Sequence, residues 1–233
     1  MQERVLIPEQ MDDPDLDRHA HELALRGLQR INAWTRNAAL AWKYIAKVGS
    51  EIRERPVRVL DVATGSADIP IALMKMSASR GVGLEVDACD ISDQALAVAA
   101  ENCSAANVAV RLFRHDILRD DVPKRYDVIM CSQFLHHLTS KDAASVLRKM
   151  KSASTHRVLV VDLERSRLNW LQVWFATRVL SRSKVVHFDG PQSVRAAFTV
   201  SEFRTLAQEL DFASFAIHKK WPCRFVMVGE LDA

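Results

Sequence analysis

Glycine is scarce, with seven in 233 residues. That excludes loop-rich and fibrous folds and predicts a helix-rich chain with economical loops. The four cysteines, Cys89, Cys103, Cys131 and Cys223, are widely spaced and include no C-x-x-C pair. Neither a zinc site nor a disulfide framework is suggested, and a reducing compartment fits. No Cys/His/Asp spacing argues for a metal. No uncharged stretch approaches the length of a membrane span, and Met1-Gln-Glu-Arg has no charged-then-apolar signal pattern. The expectation is a cytoplasmic protein. The net charge of +3 is small and the basic residues are dispersed, so nothing demands a nucleic-acid partner. Two nucleotide signatures are missing as well: G-x-G-x-x-G and the Gly-Lys-Ser/Thr ending of a triphosphate loop.

What is present begins at Val59–Asp68, Val-Leu-Asp-Val-Ala-Thr-Gly-Ser-Ala-Asp. An apolar strand runs into Asp61, a tight turn of small residues follows, and Ile69 to Met76 continue at helical spacing. Such a turn lets backbone N–H groups and a helix N-terminus approach a ligand closely. In open α/β sheets ligands sit at the carboxyl ends of strands.

Strands are expected at 57–61, 84–89, 109–114, 126–131 and 157–162, with helices at 68–79, 92–105 and 140–152. That alternation implies a doubly wound, mostly parallel α/β sheet. The segments 212–220 and 223–230 have no helix between them and Pro222 in their connection. They should form a hairpin, with one closing strand antiparallel to the rest. Residues 1–10 read as a flexible lead. Asp17 is placed to cap a helix carrying Leu23, Leu25, Leu28 and Ile31, and Trp34 to Val48 reads as a second helix. The whole, 1–233, is expected to be one domain: an N-terminal helical lid (1–50), a core (57–163), a cap insertion (164–199), then a last helix and hairpin (200–233).

The strand ends carry the chemistry. Asp90 stands at the tip of the second strand, where a carboxylate can accept hydrogen bonds from ribose hydroxyls; Asp87 competes but falls inside the strand. Asp116 follows the third strand, with Ile117 and Ile91 as alternatives for packing on a purine face. The fourth strand leads from Tyr126-Asp127 through an apolar run to Ser132-Gln133-Phe134-Leu135-His136-His137-Leu138.

These motifs resemble those of class I S-adenosylmethionine (SAM) methyltransferases. The loop resembles their acidic-x-Gly-x-Gly-x-Gly motif with Ala63 and Ala67 in place of two glycines. Asp90, Ser92 and Leu96 match acidic-x-Ser-x-x-x-Leu, and 126–138 resembles the signature ending Leu-His-His-Leu. The alanines and Asp68 are similar to the ubiquinone/menaquinone-biosynthesis branch. The resemblance covers 57–163 well, the hairpin moderately, and the N-terminal helices and 164–199 weakly. It implies an enzyme with SAM as cofactor. Asp61, Ala63, Thr64, Gly65 and Asp68 would cradle its methionine part, Asp90 its ribose and Asp116 its adenine, while Ser132, Gln133 and Phe134 would border the transferred methyl.

Methyl transfer from a sulfonium is an in-line displacement with an excellent leaving group, so alignment and exclusion of water dominate. A phenol or enol acceptor gains from a general base, for which His136 and His137 are candidates; the alternative is that they pack or cap the next helix. For the acceptor side the candidates are His19 on the lid, Trp170, and His187 with Arg195 near Asp189. The aromatic-basic stretch 168–184 either packs on the sheet edge, caps the acceptor pocket, or rests on a membrane. The expected partner is a small, apolar or aromatic acceptor, methylated on oxygen or carbon; the oligomeric state is open. Two other readings stand beside it. An RNA methyltransferase would show a basic face and Asn/Asp-Pro-Pro-aromatic where this chain has Ser132-Gln133-Phe134-Leu135. A non-catalytic protein that kept the fold would explain the loop alanines.

Overall fold

The computed structural model describes residues 3–13 and 15–231. Seven strands form one sheet: β1 (Val57–Val62), β2 (Leu84–Asp90), β3 (Arg111–Arg114), β4 (Tyr126–Ser132), β5 (Ser154–Leu163), β6 (Ser214–Lys220) and β7 (Arg224–Glu230). Their order is β3-β2-β1-β4-β5-β7-β6. Pairings from β3 across to β5 are parallel, and β7 runs antiparallel to both β5 and β6. The expected hairpin and its antiparallel strand are both present.

Helices α1 (Arg18–Thr35), α2 (Asn37–Glu51), α3 (Asp68–Arg80), α4 (Asp93–Ala106), α5 (Ser140–Ala153), α6 (Arg167–Leu180), α7 (Lys184–Ala196) and α8 (Val200–Gln208) surround the sheet. The central strands β1, β4 and β5 are buried on both faces, which is why they read as continuous apolar runs. One core cluster gathers Leu60, Ile129, Val158 and Phe225 with α5 and α8 residues. Another gathers Val59, Val128, Leu159 and Val226 with Trp42 and Ile45 of α2 and Leu73 of α3.

Local chemistry sets the helix starts. The side chains of Asp17, Ser92, Thr139 and Thr199 each accept an N–H in the first turn, and Thr199 forms a full capping box with Glu202. Two expectations need correction. The second helix begins at Asn37, because Arg36 takes a left-handed conformation (φ 58°) that ends α1 after Trp34 and Thr35. The lead is also pinned over residues 3–13; Met1 and Gln2 lie outside the described residues. Arg4 donates to Ala196 O (2.7 Å) and Leu138 O (2.9 Å), and its guanidinium lies 3.6 Å from the Phe198 ring centre. The N–H groups of Gln10 and Met11 donate to the Asp189 carboxylate. A sequence pattern could not show this, since every partner is distant in the chain.

Candidate active site

The loop after β1 turns through three left-handed residues, Ala63 (φ 55°), Gly65 (φ 57°) and Ala67 (φ 57°). Only one is glycine, so two alanines are held where a Cβ costs about 1 kcal/mol or more. Strain of this kind persists where the surroundings over-determine the backbone. Here the Gly65 N–H donates to Asp90 Oδ2 (2.8 Å) and the Thr64 hydroxyl donates to Asp61 Oδ2 (2.7 Å). Asp90 also accepts the Ser92 N–H (2.9 Å). It therefore ties the loop to the tip of β2. Asp87 lies inside β2 and accepts from the buried Tyr126 hydroxyl (2.8 Å), a structural role.

Buried polar atoms without a partner mark the carboxyl edge of the sheet. They include Asp61 Oδ1 near the end of β1, His115 Nε2 after β3 and Ser132 Oγ at the end of β4. Buried polar groups are normally paired, so three on one edge point to a polar ligand. Burial pushes the Asp61 carboxyl up to about 7 and Asp68 up to about 6. Both acids would hold their charge best beside a cation. Asp116 accepts the Leu118 N–H (3.0 Å) and lies 3.3 Å from Arg119, within a turn that leaves it half-buried. Of the two isoleucines, Ile91 is exposed at the strand tip, whereas Ile117 is packed into the core. Ile91 is thus the one with surface to offer a purine.

Beside this edge lies a cavity of about 270 Å³. Its walls come from α1 (Leu28, Ile31, Trp34), α6 (Val173, Ala176) and the β6–β7 turn (Trp221, Pro222), with Gln133, His136 and His137 on the side of β4. Segment 164–199 adds Gln172, Thr177, Val186, Gly190 and Ser193 to the lining. Gln133 is the link to the cofactor edge. It is left-handed (φ 52°), its N–H is held by Val161 O, and its amide donates to Asn32 of α1 (3.0 Å). Asn32 also hydrogen-bonds Asp68 and accepts from Asn37, on which the buried Arg224 guanidinium rests. The first helix thereby closes over loop and cavity together. Phe134 does not face the cavity but packs against the core.

His136 is buried in a 3-10 turn, Leu135–His137. Its Nδ1 lies 2.6 Å from Oδ1 of the buried Asp162, and its own N–H donates to Oδ2 (3.1 Å). A carboxylate accepts, so Nδ1 is the donor of this pair, and in the neutral imidazole that arrangement leaves the lone pair on Nε2. Nε2 lies 3.9 Å from Glu9 Oε1, and His137 Nδ1 lies 3.8 Å from the same oxygen. Ser193 donates to Glu9. Glu9, His136 and His137 each offer a ligand atom within 4.8 Å of the others, a set that could hold a divalent cation. Sequence spacing offered no metal site because Glu9 lies far from the histidines in the chain.

The four acceptor-side candidates fall outside the cavity lining. His19 is exposed at the start of α1. Trp170 packs against Leu163, Val194, Ala197 and Cys223. His187 Nε2 pairs with Ser181 O (2.8 Å), not with Asp189, whose carboxylate takes the strap N–H groups. Arg195 reaches Gln192 (3.2 Å). Residue type alone does not place a side chain on a segment without a readable register. Glu9, Gln172 and Trp221 lie on such segments too, whereas Asp162 stands in an expected strand. Only Asp162, a carboxylate near the end of a buried strand, carried a signal that could have found it.

Residues 59–157 match the family model for a methyltransferase domain. The match spans under half of the chain, and a methyltransferase domain is what that part resembles. A ribosomal protein L11 methyltransferase of Geobacter sulfurreducens is 36% identical over 78 residues, covering 34% of this chain and 24% of its own. A release factor glutamine methyltransferase of Flavobacterium psychrophilum is 28% identical over 136 residues, 57% of this chain and 45% of that one. The chain thus spans less than half the length of these relatives. Solved structures of the same fold extend over nearly the whole chain. The SAH-bound magnesium protoporphyrin IX methyltransferase of Synechocystis has TM-score 0.59 at 14% identity, over 96% of this chain and 92% of that one. The plantazolicin methyltransferase BamL has TM-score 0.61 at 14% identity, over 91% and 96%. The methyltransferase SibL has TM-score 0.66 at 20% identity, over 95% and 60%. SAH is bound in the solved magnesium protoporphyrin IX methyltransferase, and for such a ligand the polar edge offers Asp61 and Asp68 flanking the loop after β1 and Asp90 at the tip of β2. Among the described residues no helix is long and apolar enough to cross a membrane.

Proposed function

We propose that the chain transfers the methyl group of SAM to a hydroxyl oxygen of a small, apolar, flat acceptor held in the cavity. One observation carries this reading: a mostly apolar cavity beside the methyl-bearing edge has an imidazole on its wall, oriented from behind by a buried carboxylate. Small-molecule pockets are apolar with a few placed polar groups. The volume suits a ring system and is too enclosed for a folded protein surface.

When bound, SAM supplies an electrophilic methyl on a good leaving group. The chain supplies position and a proton acceptor. Asp61, Asp68 and the loop N–H groups would hold the amino-acid end, and Asp90 the ribose. Gln133 would separate cofactor from acceptor, and α1 with the α6–α7 cap excludes water. His136 Nε2 takes the acceptor's hydroxyl proton as the oxygen attacks, while Asp162 keeps the imidazole in the required tautomer and steadies the imidazolium. A phenol or enol is the hydroxyl best suited to such a base. That also agrees with the resemblance of the loop to the quinone-biosynthesis branch.

The test is a screen of methyl-labelled SAM against hydroxylated aromatics, matched amines and peptides. Label on hydroxyl oxygen supports the reading. Label on peptide alone, as the names of the curated relatives would suggest, overturns it.

A further inference from the structure

Helix α6 is apolar on two sides. One side serves the cavity and the cap core through Val173, Ala176 and Thr177. The opposite side presents Leu168, Leu171, Phe175 and Val179 at 64, 56, 63 and 63% exposure. Their spacing of three and four residues makes one continuous stripe. Trp174 borders it, and Phe188 of α7 is exposed as well. The outer face of a helix on a soluble protein is ordinarily polar, and a stripe of this size marks an interaction surface.

Along the segment that carries the stripe, the charges are of one sign. Arg167, Arg178, Arg182 and Lys184 are all exposed, and no acidic residue occurs between Arg165 and Asp189. Arg178 lies over the Trp174 ring at 4.0 Å, so the cation sits at the stripe's edge. At the cavity, Trp34 and Trp221 meet edge to face at 5.7 Å and are 50 and 77% exposed.

We infer that α6 docks this protein on the surface of an anionic lipid bilayer, with Leu168, Leu171, Phe175 and Val179 in the acyl boundary and the basic residues at the headgroups. An apolar stripe flanked by Lys/Arg and aromatic residues is how a helix lies in a membrane interface. A second copy of this chain is a poorer occupant. A two-fold pairing sets the same patch against itself and would bring two basic rims together without a carboxylate between them. Docking also deepens the proposed function, on whose apolar acceptor this point rests: an amphiphile dissolved in the bilayer would reach the cavity past the tryptophans.

The full chain is tested by co-sedimentation with phosphatidylcholine vesicles and with vesicles containing phosphatidylglycerol. The wild type should bind the anionic vesicles. Leu171→Glu with Phe175→Glu should cut the partition at least tenfold, and each of Arg178→Gln and Arg182→Gln should cut it about fivefold. S-adenosylhomocysteine binding reports that the variants fold, since none of these side chains lines the cavity. Absence of wild-type binding, or equal binding by the Glu variant, overturns the inference. So does a wild-type dimer in solution that the Glu variant dissociates. Turnover of a water-soluble phenol separates the two claims. Turnover without vesicle binding sinks docking alone, and vesicle binding without transfer to any hydroxyl sinks the acceptor reading alone.

Discussion

Nδ1 of His136 lies 2.6 Å from Oδ1 of Asp162, both side chains are buried, and His136 lines the cavity together with Glu9, whose Oε1 lies 3.9 Å from the imidazole's other nitrogen. His136→Ala should lower kcat by about 10²–10⁴ with little change in S-adenosylhomocysteine affinity. Asp162→Asn should lower kcat too and alter the pH–rate profile, because the amide no longer fixes the tautomer. Equal turnover in His136→Ala and wild type would remove the base from the mechanism.

The Glu9–His136–His137 cluster gives that claim a second check. With His136 as proton acceptor, chelator treatment leaves turnover unchanged. Loss of activity on chelation, restored by zinc or another divalent cation, would assign the cluster to a metal instead.

With Asp61 at the cofactor's ammonium, as proposed, cofactor binding should depend on pH. Burial raises its carboxyl from 3.8 to about 7, so the folded chain binds its proton more tightly than the unfolded chain does. Stability from this group is therefore full below pH 4 and is lost as pH rises toward 7. Asp61→Asn should stabilise the free protein at pH 8, by roughly 2–4 kcal/mol. An ammonium group placed beside Asp61 favours the ionised acid, so wild-type affinity for S-adenosylhomocysteine should fall up to about tenfold per pH unit below 7. The variant should bind weakly with a flatter profile. Calorimetric titration from pH 5.5 to 8 checks both, and a flat wild-type profile would contradict them.

Ala63 and Ala67 occupy left-handed backbone inside the cofactor loop. Replacing either by glycine should relieve strain and stabilise the chain by about 0.5–1 kcal/mol each after the entropy cost in the unfolded state. Thermal unfolding would show a rise of about 1–4 °C. A fall in Tm would mean that the surrounding packing needs the methyl groups more than the backbone needs relief.

The cavity wall at Ala176 is helical and half-buried. Ala176→Phe should raise the acceptor KM at least tenfold while leaving S-adenosylhomocysteine affinity within about twofold. An unchanged KM would place the acceptor elsewhere.

The core was legible because its strands are buried on both faces and its turns use small residues. Asp61, Asp90, Asp116 and the 132–137 segment stand at strand ends, where residue order alone gives position. Even the antiparallel β7 followed from two strands with no helix between them. The acceptor side was not legible. Glu9 reaches the site because Arg4 and Asp189 pin the strap, and the cavity faces of α6 and α7 depend on how each helix rolls. In α6 both faces are apolar, so periodicity could not say that Val173 and Ala176 look inward while Phe175 looks out. His187 and Arg195 suited an acceptor chemically, but packing turned them elsewhere.

The central claim is tested most directly by following labelled methyl from SAM onto a panel of apolar phenols, with His136→Ala and Ala176→Phe alongside. The account predicts label on the phenolic oxygen, reduced by both substitutions, with cofactor affinity intact. Label confined to amine or peptide acceptors, or label on phenol that both variants transfer as well as wild type, would contradict it.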